Sequence, residues 1–135
     1  MKPLVFNSTP LIYITKIGLS KVFEDLKNEK LTSPHVKREV VDEGKRKGVP
    51  DAIILEMSKN NIFKVTETKN KKFLESLLET KGLHVTDAEV LVIAKERDGI
   101  AVIDDEVARK TARVYGISYV GTSYVVMRAV VQRLI

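Results

Sequence analysis

Residues 100–105 read Ile-Ala-Val-Ile-Asp-Asp, and this stretch decides the fold. Its four apolar residues fit a short buried strand over 100–103, and a basic stretch with helical spacing follows over about 106–115. A strand that passes directly into a helix is typical of α/β proteins, whose ligand sites lie at the carboxyl ends of the strands. We therefore expect Asp104 and Asp105 to lie at the rim of a sheet.

The same order, an apolar strand and then a helix, recurs along the chain. Residues 4–6 precede Asn7-Ser8-Thr9-Pro10, whose small polar residues suit a helix cap and whose proline suits the first helical position. Further strands are predicted at the tip 31–34, at the edge segment 62–66 and at 118–120. Apolar spacing predicts helices after Pro10, near Val22, after Pro34, from about Val49 to Lys59, near Phe73, from Thr86, and from Gly121-Thr122 to about 133. This alternation implies an α/β fold with a mainly parallel sheet covered on both faces.

The composition limits the class of protein. With 135 residues, of which 44% are hydrophobic, the chain is expected to form one domain over 1–135 with an ordinary core. The absence of cysteine excludes a disulfide framework and a thiolate site, and it favours a cytoplasmic location. No stretch approaches the roughly 20 apolar residues of a membrane span, so we expect a soluble protein with no membrane partner.

The charge balance favours a polyanionic partner. Lys and Arg number 23 against 18 Asp and Glu, which gives a net charge of +5. The basic residues are spread along the chain and aromatic residues are few, so contact with phosphates is favoured over base stacking. The predicted loop over 44–48, with Lys45-Arg46-Lys47 at its centre, is either a solvated turn or a phosphate contact.

Acidic residues recur at equivalent ends of the predicted sheet. Asn7, Asp104 and Asp105 follow strands directly. Glu39 can reach the same edge from the helix after the second strand, and Asp87 joins them if its helix begins there. Carboxylates brought together repel one another unless a cation neutralises them, and carboxylate oxygens suit hard divalent ions. The sequence therefore predicts a candidate site for a divalent cation.

Each acid also has a purely structural interpretation, which the sequence leaves open. Asp105 is suited to capping the following helix, a role that contributes about 1 kcal/mol. Thr86-x-x-Glu89 matches a capping box, in which Asp87 merely favours the helix dipole. Glu39 and Glu43, four residues apart, fit a solvated helix face.

Other chemistries find less support in the sequence. His35 and His84 lack the spacing of a zinc-binding helix and are interpreted as ordinary polar residues at loop ends. No base is visibly paired with the hydroxyls of Ser8, Thr9 and Thr122, so capping or phosphate contact is favoured over a nucleophilic role. The glycines form no dinucleotide or P-loop pattern, which argues against a nucleotide cofactor.

The order and spacing of four segments resemble the PIN-domain family of metal-dependent ribonucleases, in its toxin-like (VapC-type) archaeal and bacterial branch. The segments are 5–12, Val-Phe-Asn-Ser-Thr-Pro-Leu-Ile; 34–39, Pro-His-Val-Lys-Arg-Glu; 86–94, beginning Thr-Asp-Ala-Glu; and 102–105, followed by Arg109, Lys110, Arg113 and Gly116. Gly121-Thr122 also resembles a Gly-Thr pair that follows the last strand in one branch. The resemblance covers nearly the whole chain and implies a three-layer α/β/α sandwich with a central parallel sheet.

The resemblance also implies a function. It assigns catalysis to Glu39, Asp87, Asp105 and Asp104, and it assigns Mg²⁺ or Mn²⁺ binding to these acids together with Asn7 and Glu89. The bound ion aligns water for attack on RNA phosphodiesters, which leaves 5′-phosphates, and Ser8, Thr9 and Thr122 are candidate substrate contacts. The implied partners are RNA, a small antitoxin protein and a second copy of the chain.

Asn7 departs from the family pattern, which has Asp at this position. An amide oxygen still ligates a metal, but one negative charge is lost, so we expect an endoribonuclease that is weakened or inactive. Natural decay, a tolerated variant and a deliberate disabling change are all compatible with the sequence. The alternative function is a non-catalytic RNA-binding or protein-interaction module with the same fold. A phospho-aspartate phosphatase is disfavoured, because its first strand supplies Asp as the nucleophile.

Overall fold

The computed structural model describes residues 1–47 and 62–134. The strands of this part are β1 (Leu4–Phe6), β2 (Lys30–Thr32), β3 (Phe63–Val65), β4 (Ile100–Val102) and β5 (Tyr119–Val120). Its helices are α1 (Ser8–Lys16), α2 (Lys21–Asp25), α3 (Pro34–Lys47), α4 (Lys71–Leu78), α5 (Val85–Glu96), α6 (Glu106–Val114) and α7 (Thr122–Leu134). No helix in these two ranges has the length and apolarity needed to cross a membrane.

The five strands form one parallel sheet in the order β3-β2-β1-β4-β5. The chain moves outward from β1 through β2 to β3 and then returns to β4 on the other side of β1. The direction of winding therefore reverses between β1 and β4, and a crevice is expected at their carboxyl ends. Asn7 directly follows β1, and its backbone N–H donates to Val102 O at 3.2 Å, so it lies at this switch point. The predicted α/β class and parallel sheet are confirmed.

The sheet is covered on both faces, which gives three layers. Successive side chains of a strand point to opposite faces, and all three residues of β1 are buried. On one side, Phe6 meets Phe23 of α2 and Phe63 of β3 edge to face, with ring centroids 5.8 and 5.5 Å away. Such aromatic contacts add to the burial energy and fix the position of α2 on the sheet.

Helix α5 is buried on all sides except at its two ends. Nine consecutive residues, 86–94, are buried, because α5 lies against β1 and β4 and is also contacted by α3, α4 and α6. In the sequence, Val90, Leu91, Ile93 and Ala94 indicate one core-facing side of this helix, and the buried stretch is wider than that side. Because all the residues over 86–94 are buried, α5 carries two acids, Asp87 and Glu89, into the interior.

Several predicted boundaries differ from the structure. Asn7 is the cap of α1 and Ser8 its first residue, so Pro10 occupies the third helical position and not the first. Helix α3 continues through Lys47, so Lys45-Arg46-Lys47 is helical and the predicted loop is wrong up to that point. Strand β4 ends one residue earlier than predicted, although Ile103 N still donates to Val120 O at 2.9 Å. The helix predicted over 49–59 lies outside the described residues.

Candidate active site

A cavity of about 900 Å³ opens at the carboxyl ends of the strands. Its walls come from the β1–α1 junction, one side of α3, the start of α5 and the β4–α6 turn. Seven of the nine predicted site residues line it, namely Asn7, Ser8, Thr9, Glu39, Asp87, Asp104 and Asp105. Glu89 and Thr122 lie outside its lining. The three acids on which the hydrolytic hypothesis depends, Glu39, Asp87 and Asp105, thus share one cavity.

The cavity is acidic although the chain as a whole is basic. Six carboxylates line it against two guanidinium groups, whereas the complete sequence carries a net charge of +5. Like charges held in one concavity raise the free energy of the folded state, and a bound cation lowers it. The charge distribution therefore favours a cation inside the cavity and a polyanion outside it.

A chain of hydrogen bonds connects Glu39 to Asp87. Ser8 Oγ donates to Glu39 Oε1 at 3.1 Å, and Ser8 N donates to Asn7 Oδ1 at 2.8 Å. The Ser8 N–H is only a donor, so it fixes the oxygen of the Asn7 amide on the α1 side. The amide nitrogen of Asn7 is consequently directed at Asp87 and donates to its Oδ1. In this arrangement the side-chain oxygen of Asn7 caps α1, and its side-chain nitrogen, a hydrogen-bond donor, faces Asp87.

Asp87 is a buried carboxylate with a neighbouring like charge. Its Oδ2 accepts from His84 N at 3.2 Å, so the capping box of α5 joins His84 and Asp87. The predicted box at Thr86 and Glu89 is therefore wrong, because α5 begins at Val85, one residue before Thr86. Burial raises the pKa of Asp87, and the charge of Asp105 adds to this shift. A cation bound here would oppose both effects.

Asp105 caps a helix and also faces the cavity. It is the cap of α6, where its Oδ2 accepts from Ala108 N at 2.9 Å, and it also lines the cavity. A cap uses only one carboxylate oxygen, so the other is free of that bond. Asp105 can therefore hold the start of α6 and still offer an oxygen to a ligand.

Asp104 is engaged differently from Asp105. Its Oδ1 accepts from Thr122 N at 3.0 Å, and its Oδ2 accepts from Thr122 Oγ1 at 2.5 Å. Thr122 itself is buried. The predicted substrate contact Thr122 is thus a partner of Asp104, and it lies outside the cavity wall.

Two histidines were missed as cavity residues. His35 and His84 both line the cavity, although their spacing in the sequence predicted ordinary polar residues at loop ends. His35 Nδ1 lies 2.6 Å from Glu89 Oε2, whereas Glu89 Oε1 is buried and has no hydrogen-bond partner among the described residues. Both histidines lie at the starts of helices at the carboxyl edge of the sheet. This position in the sequence is the signal that could have identified them.

One side of α3 also belongs to the cavity. Arg38, Asp42, Glu43 and Arg46 line it together with Glu39, and Arg46 pairs with Glu43. Their spacing of three and four residues places them on neighbouring positions of one helix face. From the sequence, this spacing predicted that Glu39 and Glu43 share a helix face, and it left open whether that face meets solvent or a cation site.

The donor set fits a hard divalent ion in chemical type. Carboxylate oxygens of Asp87, Asp105 and Glu39 are the ligands that Mg²⁺ and Mn²⁺ prefer. In the two described ranges, however, no three acidic, histidine or cysteine side chains are gathered closely enough to hold an ion as they stand. Asn7 offers a physical reason why the acids are not gathered around an ion. Its amide donates a hydrogen bond to Asp87, whereas an acid at the same position would repel Asp87 unless a cation lay between them.

The fold and the cavity define a three-layer α/β protein with an acidic site at the switch point between β1 and β4. Comparison with protein families agrees with this description: the family model described as PIN domain (DUF3368) matches residues 3–135. The chain belongs to the PIN-domain family, a nuclease family, as its sequence resemblance predicted.

Solved structures of other proteins share this fold. PAE2754 from Pyrobaculum aerophilum is 12% identical with a TM-score of 0.70, and the match covers 96% of each chain. VapC20 from Mycobacterium tuberculosis, a sarcin-ricin loop cleaving toxin, is 12% identical with a TM-score of 0.62, over 80% of this chain and 94% of that one. No curated protein matches the sequence. At this identity the likeness concerns the fold, and the three-layer prediction is confirmed.

Proposed function

We propose that the protein is a metal-dependent endoribonuclease of the toxin-antitoxin type, with catalysis weakened by Asn7. The observation that carries this proposal is the convergence of Glu39, Asp87 and Asp105 on one acidic cavity at the sheet switch point. VapC20, which has the same fold, is described as a sarcin-ricin loop cleaving toxin. RNA is therefore the substrate class that we favour.

Glu39, Asp87 and Asp105 are the residues that would hold Mg²⁺ or Mn²⁺. Such an ion lowers the pKa of a water molecule and stabilises the charge on the leaving oxygen of a phosphodiester. Ser8 and Thr9 line the cavity at the β1–α1 junction and carry hydroxyls that suit a substrate phosphate. The positive net charge of the chain attracts RNA toward the cavity mouth.

Asn7 weakens this site in two ways. It removes one negative charge, and its amide nitrogen, a group that cannot ligate a cation, faces Asp87. An ion at Asp87 has to displace that hydrogen bond or stand beside it. We therefore expect low metal affinity and slow cleavage.

An RNA cleavage assay with Mn²⁺ tests the proposal through three forms of the protein. The wild type is expected to cleave slowly, Asn7→Asp faster because the missing carboxylate is restored, and Asp105→Asn not at all. Labelling of the downstream fragment by polynucleotide kinase only after phosphatase treatment would show that the products carry 5′-phosphates. Absence of cleavage by both the wild type and Asn7→Asp would refute the nuclease function.

The second candidate is a PIN-fold module that binds RNA or protein without catalysis. The hydrogen bond from Asn7 to Asp87 favours it, because the buried acid is satisfied without an ion. Calorimetric titration with Mn²⁺ separates the two functions. Heat of binding that disappears in Asp105→Asn supports the nuclease, whereas no binding by the wild type supports the module.

A cytoplasmic location, a small antitoxin partner and a homodimer complete the proposal by analogy with toxins of this fold. On α7, Met127, Val130 and Val131 are 60%, 52% and 40% exposed, and this apolar surface is where we expect another chain to bind. Light scattering of the purified protein tests the dimer. A neighbouring gene for a short DNA-binding protein would support the antitoxin.

A further inference from the structure

Asp104 and Asp105 are adjacent acids with different surroundings. One oxygen of Asp105 accepts a hydrogen bond from the backbone N–H of Ala108, whereas both oxygens of Asp104 accept hydrogen bonds from Thr122. Because Thr122 is the first residue of α7, Asp104 satisfies a free amide at the start of a helix that is distant in sequence. Its carboxylate is thus committed to a contact between two elements.

Arg109 holds the same turn from the other side. Its Nε donates to Ile103 O at 3.1 Å, and its Nη2 lies 3.6 Å from Asp104 Oδ1. Arg109, in the first turn of α6, therefore contacts both Asp104 and the residue before it, Ile103, which follows β4 directly. The residues 103–105 are held by α6 and by α7 at once.

Gly121 makes this close approach of α7 possible. A Cβ at position 121 would lie 2.9 Å from Asp104 Oδ1 and would collide with the Arg109 guanidinium. Any other residue at this position would displace the Arg109 guanidinium or the Asp104 carboxylate and so disturb their contacts. The glycine therefore belongs to the same arrangement as Asp104, Arg109 and Thr122.

We propose that Asp104 is a positioning residue, which with Thr122 clamps the β4–α6 turn and so holds Asp105 at the cavity, and that it is not a metal ligand. The clamp itself stands on the contacts of Asp104. The statement that Asp105 is positioned to bind an ion is the one part of this proposal that rests on the proposed function.

Amide hydrogen exchange tests the clamp without any metal. In Asp104→Ala, the Thr122 amide loses its acceptor, and the Ala108 amide, which reports on Asp105, is expected to exchange about tenfold faster. A role confined to capping α7 would change Thr122 alone. Unchanged exchange at Ala108 would therefore overturn the proposal.

A matched pair at position 122 guards against a general loss of structure in Asp104→Ala. Thr122→Val removes the hydroxyl that binds Asp104 Oδ2, and Thr122→Ser keeps it. The valine variant is expected to speed exchange at Ala108, while the serine variant behaves as the wild type. Equal exchange in the two variants would count against the clamp.

Asp104→Asn separates positioning from metal binding. An asparagine there can accept from Thr122 N and donate to Thr122 Oγ1, so the clamp is preserved while the charge is lost. Its Mn²⁺ affinity is expected to stay within about twofold of the wild type, whereas Asp105→Asn loses about tenfold or more. An equal loss in both variants would identify Asp104 as a ligand. If the wild type binds no Mn²⁺, the proposed nuclease fails, and the exchange data still decide the clamp.

Discussion

Two buried charged side chains lie at opposite ends of the sheet, and their surroundings differ. Lys30 at the amino end is 8% exposed, and its Nζ donates to Leu26 O at 2.6 Å and Asn28 O at 2.8 Å. Asp87 at the carboxyl end is 2% exposed and is bound by Asn7 and His84. Burial lowers the pKa of Lys30 and raises that of Asp87, but only Asp87 also has a like charge nearby, that of Asp105.

The two pKa shifts make stability depend on pH in opposite directions. Near neutral pH, however, both of them lower the stability of the folded state. The raised pKa of Asp87 gives stability that is fully present below the ordinary aspartate pKa of 3.8 and is lost as pH rises through the folded value. The lowered pKa of Lys30 gives stability that is present above 10.5 and is lost as pH falls through the folded value. A buried charge facing neutral carbonyls is a structural device, whereas one left beside a like charge is typical of a binding site.

The largest expected effect is on the structural side of this comparison. Lys30→Ala leaves two carbonyls without their donor and removes buried side-chain volume, so we expect a loss of about 3 kcal/mol in the free energy of unfolding. Urea unfolding measures it. Lys30→Met, which keeps the volume and removes only the donors, is expected to lose less. If Lys30→Ala also changes Mn²⁺ affinity, the two ends of the sheet are not independent.

Asn7→Asp is expected to be the next largest change, and it acts on the other end. It replaces the donor that faces Asp87 with a second carboxylate, so we expect a loss of about 2 kcal/mol in metal-free buffer at pH 7. Added Mn²⁺ should restore this stability, because the ion neutralises the new pair. Thermal unfolding with and without Mn²⁺ measures both effects.

Asn28→Asp is the matched control for Asn7→Asp. Asn28 is also a buried amide that donates and accepts, to Lys2 O at 2.9 Å and from Gln132 Nε2 at 3.0 Å, but it lies outside the cavity lining. The control variant should be destabilised and should gain nothing specific from Mn²⁺. Equal rescue of both variants would mean that the ion acts elsewhere than at Asp87.

The end of the sheet where each acid lies was predictable from sequence. Short apolar strands followed by small polar or acidic residues placed Asn7, Asp104 and Asp105 at the carboxyl edge, and the parallel sheet then required them to be near one another. The direction of each side chain was not predictable. Asp104 is turned to Thr122 because Gly121 allows α7 to approach, and that contact joins residues 18 positions apart.

The histidines and the α3 face show a different limit of sequence reasoning. His35 enters the cavity together with Arg38 and Asp42 because α3 lies beside α5, and no local pattern encodes that packing. The buried state of Glu89 likewise follows from the strands β1 and β4 and the helices α3, α4 and α6 that surround α5. Local spacing thus predicted which residues share a helix face, while tertiary packing decided whether that face meets solvent or a cavity.

Asp105→Asn tests whether the site carries a stability cost. The amide still caps α6, and the like charge beside Asp87 disappears, so we expect a gain of about 0.5 kcal/mol at pH 7 without metal. Asp105→Ala loses the cap and should instead be destabilised by about 1 kcal/mol. Urea unfolding distinguishes the two variants. A loss in Asp105→Asn as large as that in the alanine variant would show that repulsion at this site is negligible.

The smallest effect concerns the pKa of Asp87 itself. Burial is the larger cause of its upward shift and the charge of Asp105 a lesser one, so Asp105→Asn should lower this pKa only in part. Titration of the Asp87 carboxyl carbon by NMR measures the change. A return to the ordinary aspartate value would mean that Asp105, and not burial, dominates. In that case Asp87 would resemble Lys30 once Asp105 is neutralised, and the contrast between the two ends of the sheet would depend on a single neighbouring carboxylate.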